Sequence, residues 1–228
     1  VTATRTCECA ECGAEMQVER LFFQGRELRM TPVCEPCGEK AKAEEERERD
    51  RSRFESRVEA SHLPSSRWGI ELPGGQHGEA ARLWADGELR GLMLLGPVGV
   101  GKTHLAAAAV WRRLRVDRVR WVRTARLMSQ LRAGFDDSAR REALAIINGT
   151  SALVLDDLDK ATPTDFGREV VFNAVDSRIE HGSPLLVTTN LELSAIGERY
   201  GEPVASRLAG YCRVLRMTGE DRRIGGIS

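Results

Sequence analysis

The sequence predicts an α/β fold, a five-stranded parallel sheet between helices, preceded by a small cysteine-rich unit and a charged helical linker. Three observations carry that prediction. Residues 96–103, Gly-Pro-Val-Gly-Val-Gly-Lys-Thr, match Gly-x-x-x-x-Gly-Lys-[Ser/Thr] without a gap. Short continuous apolar runs alternate with helical stretches through the rest of the chain. Five of the six cysteines fall within the first 37 residues.

The phosphate-binding loop is flanked as its chemistry requires. Gly91-Leu92-Met93-Leu94-Leu95 reads as a buried strand before it, and Leu105 to Trp111 reads as a helix after it. Gly96, Gly99 and Gly101 permit backbone angles that a Cβ resists, so the loop, in which Pro97, Val98 and Val100 fill the intervening positions, can aim successive N–H groups (Pro97 itself has none) toward phosphates. Lys102 is placed to reach the β- and γ-phosphates and the Thr103 hydroxyl to ligate Mg²⁺. His104 continues the first helical turn, whose positive end faces the nucleotide. The expected ligands are ATP and Mg²⁺.

Four further apolar runs follow, at Val119–Arg123, Ala152–Leu155, Leu185–Asn190 and Cys212–Met217. With helical crossovers, such as the one expected over Arg126–Leu131 and another starting at Asp136 or Asp137, they predict a parallel sheet covered on both faces. Asp156-Asp157 closes one run as a Walker B element would. Asp156 would support Mg²⁺, and Asp157 would polarise the attacking water, slowly because Asp is a methylene shorter than Glu. Asn190, at the tip of the next run, is positioned to meet the γ-phosphate or that water. Arg207, read as lying between two helical stretches, is by residue type alone one more exposed arginine among thirty; the other reading is that it reaches a neighbouring subunit's nucleotide and stabilises the transferring phosphoryl group.

The cysteines form two Cys-x-x-Cys-Gly repeats, Cys9–Gly13 and Cys34–Gly38, with 21 residues between the pairs. Two such turns supply the four thiolates of a closed tetrahedral zinc site, each following Gly permitting a tight turn. Cys7 is a spare that can replace Cys9 as a ligand, and a redox dithiol is the alternative to metal. Residues 15–30 read as the hairpin of a zinc ribbon, turning at Gln24-Gly25. Cys212 reads as a core thiol. Residues 39–60 are a charged helix with i,i+3 pairs such as Glu46–Arg49 and Asp50–Arg53 and no apolar stripe, hence a solvated connector. The domains expected are 1–38, 39–60 and 61–228.

The 34 basic and 34 acidic residues cancel, so any attraction to nucleic acid must be local. One local excess exists: seven arginines and one acid between Arg112 and Arg126, with Trp111 and Trp121 beside them. That segment can track a single-strand backbone, or it can be core aromatics with dispersed charges. No apolar run approaches the ~18 residues needed to span a bilayer, and the N-terminus lacks a signal-peptide core. The expected compartment is the cytoplasm.

With these residues in place, the chain resembles the AAA+ helicase loaders of the DnaC/DnaI type and the related IstB transposition ATPases. The resemblance runs from about Leu63 to Arg223 and is carried by Leu63-Pro64-Ser-Ser-Arg-Trp68, the phosphate loop, Leu155-Asp156-Asp157-Leu158, Thr188-Thr189-Asn190-Leu191, Ser206-Arg207-Leu208 and the closing Gly219-Glu-Asp-Arg-Arg223. It implies an AAA+ core, Asn190 as sensor 1, Arg207 as an arginine finger acting in trans, and Arg223 (or Arg222) as sensor 2. It also implies an ATP-dependent homo-oligomer that binds single-stranded DNA. The cysteine unit resembles the zinc-binding, helicase-contacting domain of the DnaI branch. The leading expectation is thus an ATPase that loads the replicative DNA helicase. The alternatives are an IstB-like ATPase assisting a transposase and an ATP-binding adaptor without significant turnover.

Overall fold

A computed structural model of the chain describes residues 4–23, 26–27, 31–133, 151–160 and 163–221. The chain divides into two compact units, Val1–Arg53 and Phe54–Ser228. Residues Gln24-Gly25, Asp136, Asp137, Arg222 and Arg223, to which the sequence reading assigns a turn, a helix start and sensor 2, lie outside the described residues.

In the first unit β1 (Thr4–Glu8) and β2 (Glu15–Glu19) form an antiparallel pair with Cys7 opposite Met16. A shorter pair joins β3 (Phe22–Phe23) to β4 (Arg26–Glu27). The short pair brackets residues 24–25, where the sequence places the hairpin, but β2 pairs with β1 and not across that turn. The longer pairing is the one that folds over the first cysteine pair, and β1 had no apolar alternation to reveal it. The charged helix α1 spans Glu35–Ser61 and so starts at the second cysteine pair rather than at residue 39. Its surface carries ion pairs, including Arg49 to Glu45 at 2.5 Å and Arg53 to Asp50 at 3.7 Å.

The second unit is built on five strands: β5 (Gly91–Leu95), β6 (Val119–Arg123), β7 (Ala152–Asp156), β8 (Leu185–Thr189) and β9 (Cys212–Arg216). All pairings are parallel, in the order β6-β7-β8-β5-β9. The three inner strands are buried at every position, which is why they read as continuous apolar runs and not as alternations. Successive residues still face opposite layers. Met93, Leu153 and Leu155 join Leu127, Met128, Val170 and Val171 on one side. Leu92, Leu94 and Val154 join Trp84, Ala106 and Val110 on the other.

The helices of this unit are α2 (Gly75–Ala85), α3 (Lys102–Arg113), α4 (Thr124–Ala133), α5 (Asp165–Glu180), α6 (Leu193–Tyr200) and α7 (Glu202–Tyr211). The last turns of α1 belong here too. Val58 is buried, Phe54 meets Trp111 edge-on at 5.2 Å, and Arg57 donates to the carbonyl of Arg115 at 2.6 Å. Because every strand runs the same way, all five C-terminal ends lie along one edge, where a parallel sheet binds ligands. Since β8 separates β5 from β7, the residue after β8 sits between the phosphate loop and the end of β7.

Candidate functional site

The loop after β5 leads into α3 with the expected backbone. Gly96, Gly99 and Gly101 take φ of 154°, 82° and 98°. At Gly96 even an unstrained Cβ would fail, because it would stand 2.1 Å from the Met217 carbonyl oxygen. Beside this loop lies a cleft of about 280 Å³ lined by Val98, Gly99, Gly101, Lys102, Thr103, His104, Asp157, Asn190, Arg67 and Lys160. Val100 is buried beneath the loop, while the Pro97 and Gly96 carbonyls face the lysine.

Lys102 is 5% exposed. Its Nζ donates to the carbonyls of Gly96 (2.8 Å) and Pro97 (2.7 Å) and to Asn190 Oδ1 (2.6 Å). These three bonds to neutral oxygens hold the ammonium at the mouth of the loop. A phosphate oxygen offers it a charged acceptor and a stronger bond.

At the end of β7 the Asp156 carboxylate is 1% exposed. Its Oδ1 accepts from Thr188 Oγ1 at 2.8 Å and from Thr103 Oγ1 at 3.1 Å. Burial raises its pKa, Asp157 nearby adds to the rise, and the two hydroxyls oppose it. The hydroxyl and carboxylate that sequence reading assigns to magnesium are thus already in contact. Two hard oxygen donors at a phosphate cleft suit that ion.

Asp157 adopts φ of 53°, a left-handed conformation uncommon outside glycine. Its N–H donates to Thr188 Oγ1 at 2.9 Å, and its side chain lines the cleft. The turn beyond it is clamped: Leu158 N–H donates to the Thr188 carbonyl at 2.9 Å, Tyr200 Oη to the Leu158 carbonyl at 2.7 Å, and Arg199 to the Asp159 carbonyl. Such over-determination is what a strained residue at a site requires.

Asn190 follows β8 and stands between Lys102 and Asp159. Its backbone N–H donates to Asp159 Oδ1 at 2.9 Å and its Nδ2 to Asp159 Oδ2 at 2.6 Å. Asp159, Arg67 and Lys160 were missed in the sequence. Arg67 sits in a single 3-10 turn, Ser65–Arg67, far from the motif in sequence. Lys160 and Asp159 follow Asp-Asp-Leu, and no spacing rule marks them. Only Arg67's place within the Leu63–Trp68 segment was a signal.

Arg207 corrects the sequence reading. It lies inside α7 and not between helices. Its Nε meets Asp176 Oδ1 at 2.5 Å, its guanidinium lies 4.7 Å from the Phe172 ring centre, and it is not among the residues lining the cleft. The arginine-rich segment is likewise dispersed. Trp121 is a core residue, 3% exposed. Arg113 is buried, donating to the Trp84 carbonyl at 2.6 Å and pairing with Asp117 at 2.9 Å. Arg112 pairs with Asp86, and Arg120 donates to the Ala60 carbonyl. Arg115, Arg118, Arg123 and Arg126 stay exposed.

In the first unit the thiols of Cys9, Cys12, Cys34 and Cys37 lie within 4.8 Å of one another, and Cys7 is outside that group. A Zn–S bond of 2.3 Å places tetrahedral sulfurs about 3.8 Å apart. The Cys12 and Cys34 sulfurs are 3.6 Å apart, far beyond a disulfide bond. Cys34 N–H donates to Cys9 Sγ at 3.3 Å. That bond, with those from the N–H groups of Cys12 and Glu11, brings the Cys9 thiol down to about 6. Hydrogen bonds with the Cys34 and Cys12 thiols push Cys37 up to about 12. Crowded thiols resist losing several protons at once, and a soft cation reverses that preference, so the donor set fits zinc. The two pairs differ in backbone. Gly13 follows the first with φ of 73°, whereas Cys34–Cys37 opens α1, and Gly38 is an ordinary helical residue. Cys212 is buried, and burial pushes its thiol up to about 12.

Among the described residues no helix is long and apolar enough to cross a membrane.

The profile of the IstB-like ATP binding protein family matches residues 81–225. An insertion-sequence ATP-binding protein of Mycobacterium tuberculosis is 34% identical over 123 residues, 53% of this chain and 48% of that protein. The replicative helicase loader DnaC of Escherichia coli is 27% identical over 126 residues, 54% of this chain and 51% of that protein. The chain therefore spans about half the length of these two relatives. The crystal structure of DnaI superposes with a TM-score of 0.59 over 71% of this chain and 95% of that one, at 21% identity, a likeness of fold. A parallel sheet in this order, with a phosphate loop after β5 and an acidic pair closing β7, is an AAA+ P-loop core, and the chain belongs to the IstB-like ATP-binding family.

Proposed function

We propose that this protein hydrolyses Mg-ATP slowly and uses that cycle, in the cytoplasm, to load a replicative DNA helicase onto single-stranded DNA. Residues 1–38 would dock the helicase, 39–60 connect, and 61–228 act as the ATPase. The observation that carries the loader reading is the four-thiol cluster ahead of the AAA+ core. It resembles the zinc-bearing helicase-docking unit of the DnaI branch.

The cleft supports the ATPase part. Lys102 would exchange the Gly96 and Pro97 carbonyls for terminal phosphate oxygens. Thr103 and Asp156 would hold magnesium, which when bound neutralises phosphate charge. Asp157, fixed by its turn, would orient the attacking water, with Asn190 beside it. Arg207 would act in a neighbouring subunit of a homo-oligomer after leaving Asp176, and Arg223 would act as sensor 2. Cys9, Cys12, Cys34 and Cys37 would hold zinc, which gives the docking unit its shape.

The test is capture by the full zinc-loaded chain of purified replicative helicase and of purified transposase, with a Cys34→Ser, Cys37→Ser control. Helicase capture that the control loses is expected. Capture of transposase alone would replace this reading with the second one, assistance to a transposase. The 34% identity to an insertion-sequence protein favours that alternative.

A further inference from the structure

We propose that Asp159 is a positioning residue that fixes the side-chain amide of Asn190, so that its oxygen faces the phosphate cleft and its NH₂ is held away. The inference rests on the ATPase reading above and adds an orientation that the motif does not contain. An ionised carboxylate only accepts hydrogen bonds, and an ammonium only donates them. Asp159 Oδ2, 2.6 Å from the amide, therefore selects its nitrogen, and Lys102 Nζ, 2.6 Å from the other side, selects its oxygen. The two neighbours agree, and a flipped amide would lose both bonds.

Asp159 is itself held. Its side chain is 8% exposed. Its other oxygen takes the Asn190 backbone N–H at 2.9 Å, its carbonyl takes Arg199, and Lys160 Nζ lies 3.5 Å from Oδ2. A carboxylate buried this far needs its acceptor sites filled, and Asn190 fills two of them. The consequence is chemical. An outward amide oxygen accepts a hydrogen bond from water and helps aim its lone pair, in company with the Asp157 carboxylate. It does not donate to a γ-phosphate, as an outward NH₂ would.

Asp159→Asn in the full chain is the decisive variant. Its new NH₂ would face the Asn190 NH₂ while Lys102 still requires oxygen on the other side, so no orientation of the Asn190 amide satisfies both neighbours and its aim is lost. The expected result is a fall in kcat of at least about ten-fold, one missing aligned hydrogen bond, with Kd for ATP within about threefold. A purely structural role would move both or neither. The second measurement is melting of the nucleotide-free chain in a cycle with Asn190→Ala. Asp159→Asn should lower Tm in the wild-type background and much less beside Asn190→Ala. Additive Tm shifts, or an unchanged kcat in Asp159→Asn, overturn the proposal. If the wild-type chain releases no phosphate, the ATPase reading fails. The melting cycle then still decides whether Asp159 holds Asn190.

Discussion

The two units of this protein are held together by different physics. Among the described residues of 4–53, Cys9 alone is buried. In the other unit three strands are buried end to end, and apolar layers cover both faces of the sheet. A unit this small buries little surface to offset its chain entropy, and a cation held by the four thiols would supply the cross-link that a core supplies elsewhere. The larger unit has a core to spare and can hold polar groups under constraint. Asp156 is buried there, Asp157 is in a left-handed turn, and Lys102 is sequestered. The contrast teaches where each unit is vulnerable: one to loss of a ligand, the other to changes in a few polar contacts.

The largest expected effect breaks that contrast if it fails. Chelation of zinc should abolish the protected amides of β1 and β2 in hydrogen exchange while the melting of the ATPase unit moves by less than ~2 °C. Protection that survives in a metal-free sample would show that the first unit has a core after all.

Next come changes at the polar contacts. Arg207→Ala should lower ATP turnover about 10³-fold with ATP binding intact, the effect of losing a finger. Mixing it with Asp157→Asn should restore part of the rate, because each chain supplies what the other lacks. A rate that stays flat at every mixing ratio removes the shared site and leaves Arg207 as a partner of Asp176. Lys102→Ala should weaken ATP binding at least about 100-fold, the loss of roughly two charge-assisted bonds. Unchanged affinity would detach the nucleotide from this loop.

A smaller effect sharpens the account of burial. The Asp156 pKa is raised in the folded state, so folding favours its protonated form. Its contribution to stability is present below the ordinary carboxylate range and is lost as pH rises through the raised value. Asp156→Asn keeps an acceptor for Thr103 and Thr188 and removes the buried charge. It should raise the neutral-pH Tm of the nucleotide-free chain by roughly 2–4 °C, as ~1 kcal/mol would. The gain should shrink as the buffer is acidified, and a gain independent of pH would assign it to something other than charge. The smallest effect is expected on α1, where Glu45→Ala should cost no more than about 0.5 kcal/mol in chemical denaturation, since the Arg49 pair is exposed.

Much of the core could be read from residues alone, because its signals are local. A strand buried on both faces must be a continuous apolar run, and a loop that wraps phosphate must place Gly, Lys and Thr at set spacings. Hence β5 to β9, the loop at 96–103 and Asp156-Asp157 were all legible. The four clustering cysteines were legible for the same reason, since two ligands on one turn leave a two-residue gap. Legibility failed where a role depends on what faces a residue. Trp121 and Arg113 look like parts of a basic, aromatic patch in one dimension, yet β6 turns the first into the core and α3 turns the second against Trp84 and Asp117.

What the sequence determined by itself was the parallel sheet, the phosphate loop, the acidic pair and the thiol donor set, each written in short-range periodicity or spacing. What only the tertiary structure decided was the company those residues keep. Arg67 reaches the cleft from well before β5, Arg207 pairs with Asp176 from α7, and Asp159 takes hold of Asn190. Neighbouring parallel strands are joined through long crossovers, so residues that meet at the sheet edge are far apart along the chain. No local pattern can record such a meeting, because hydrogen bonds and charges act through space and are indifferent to sequence separation.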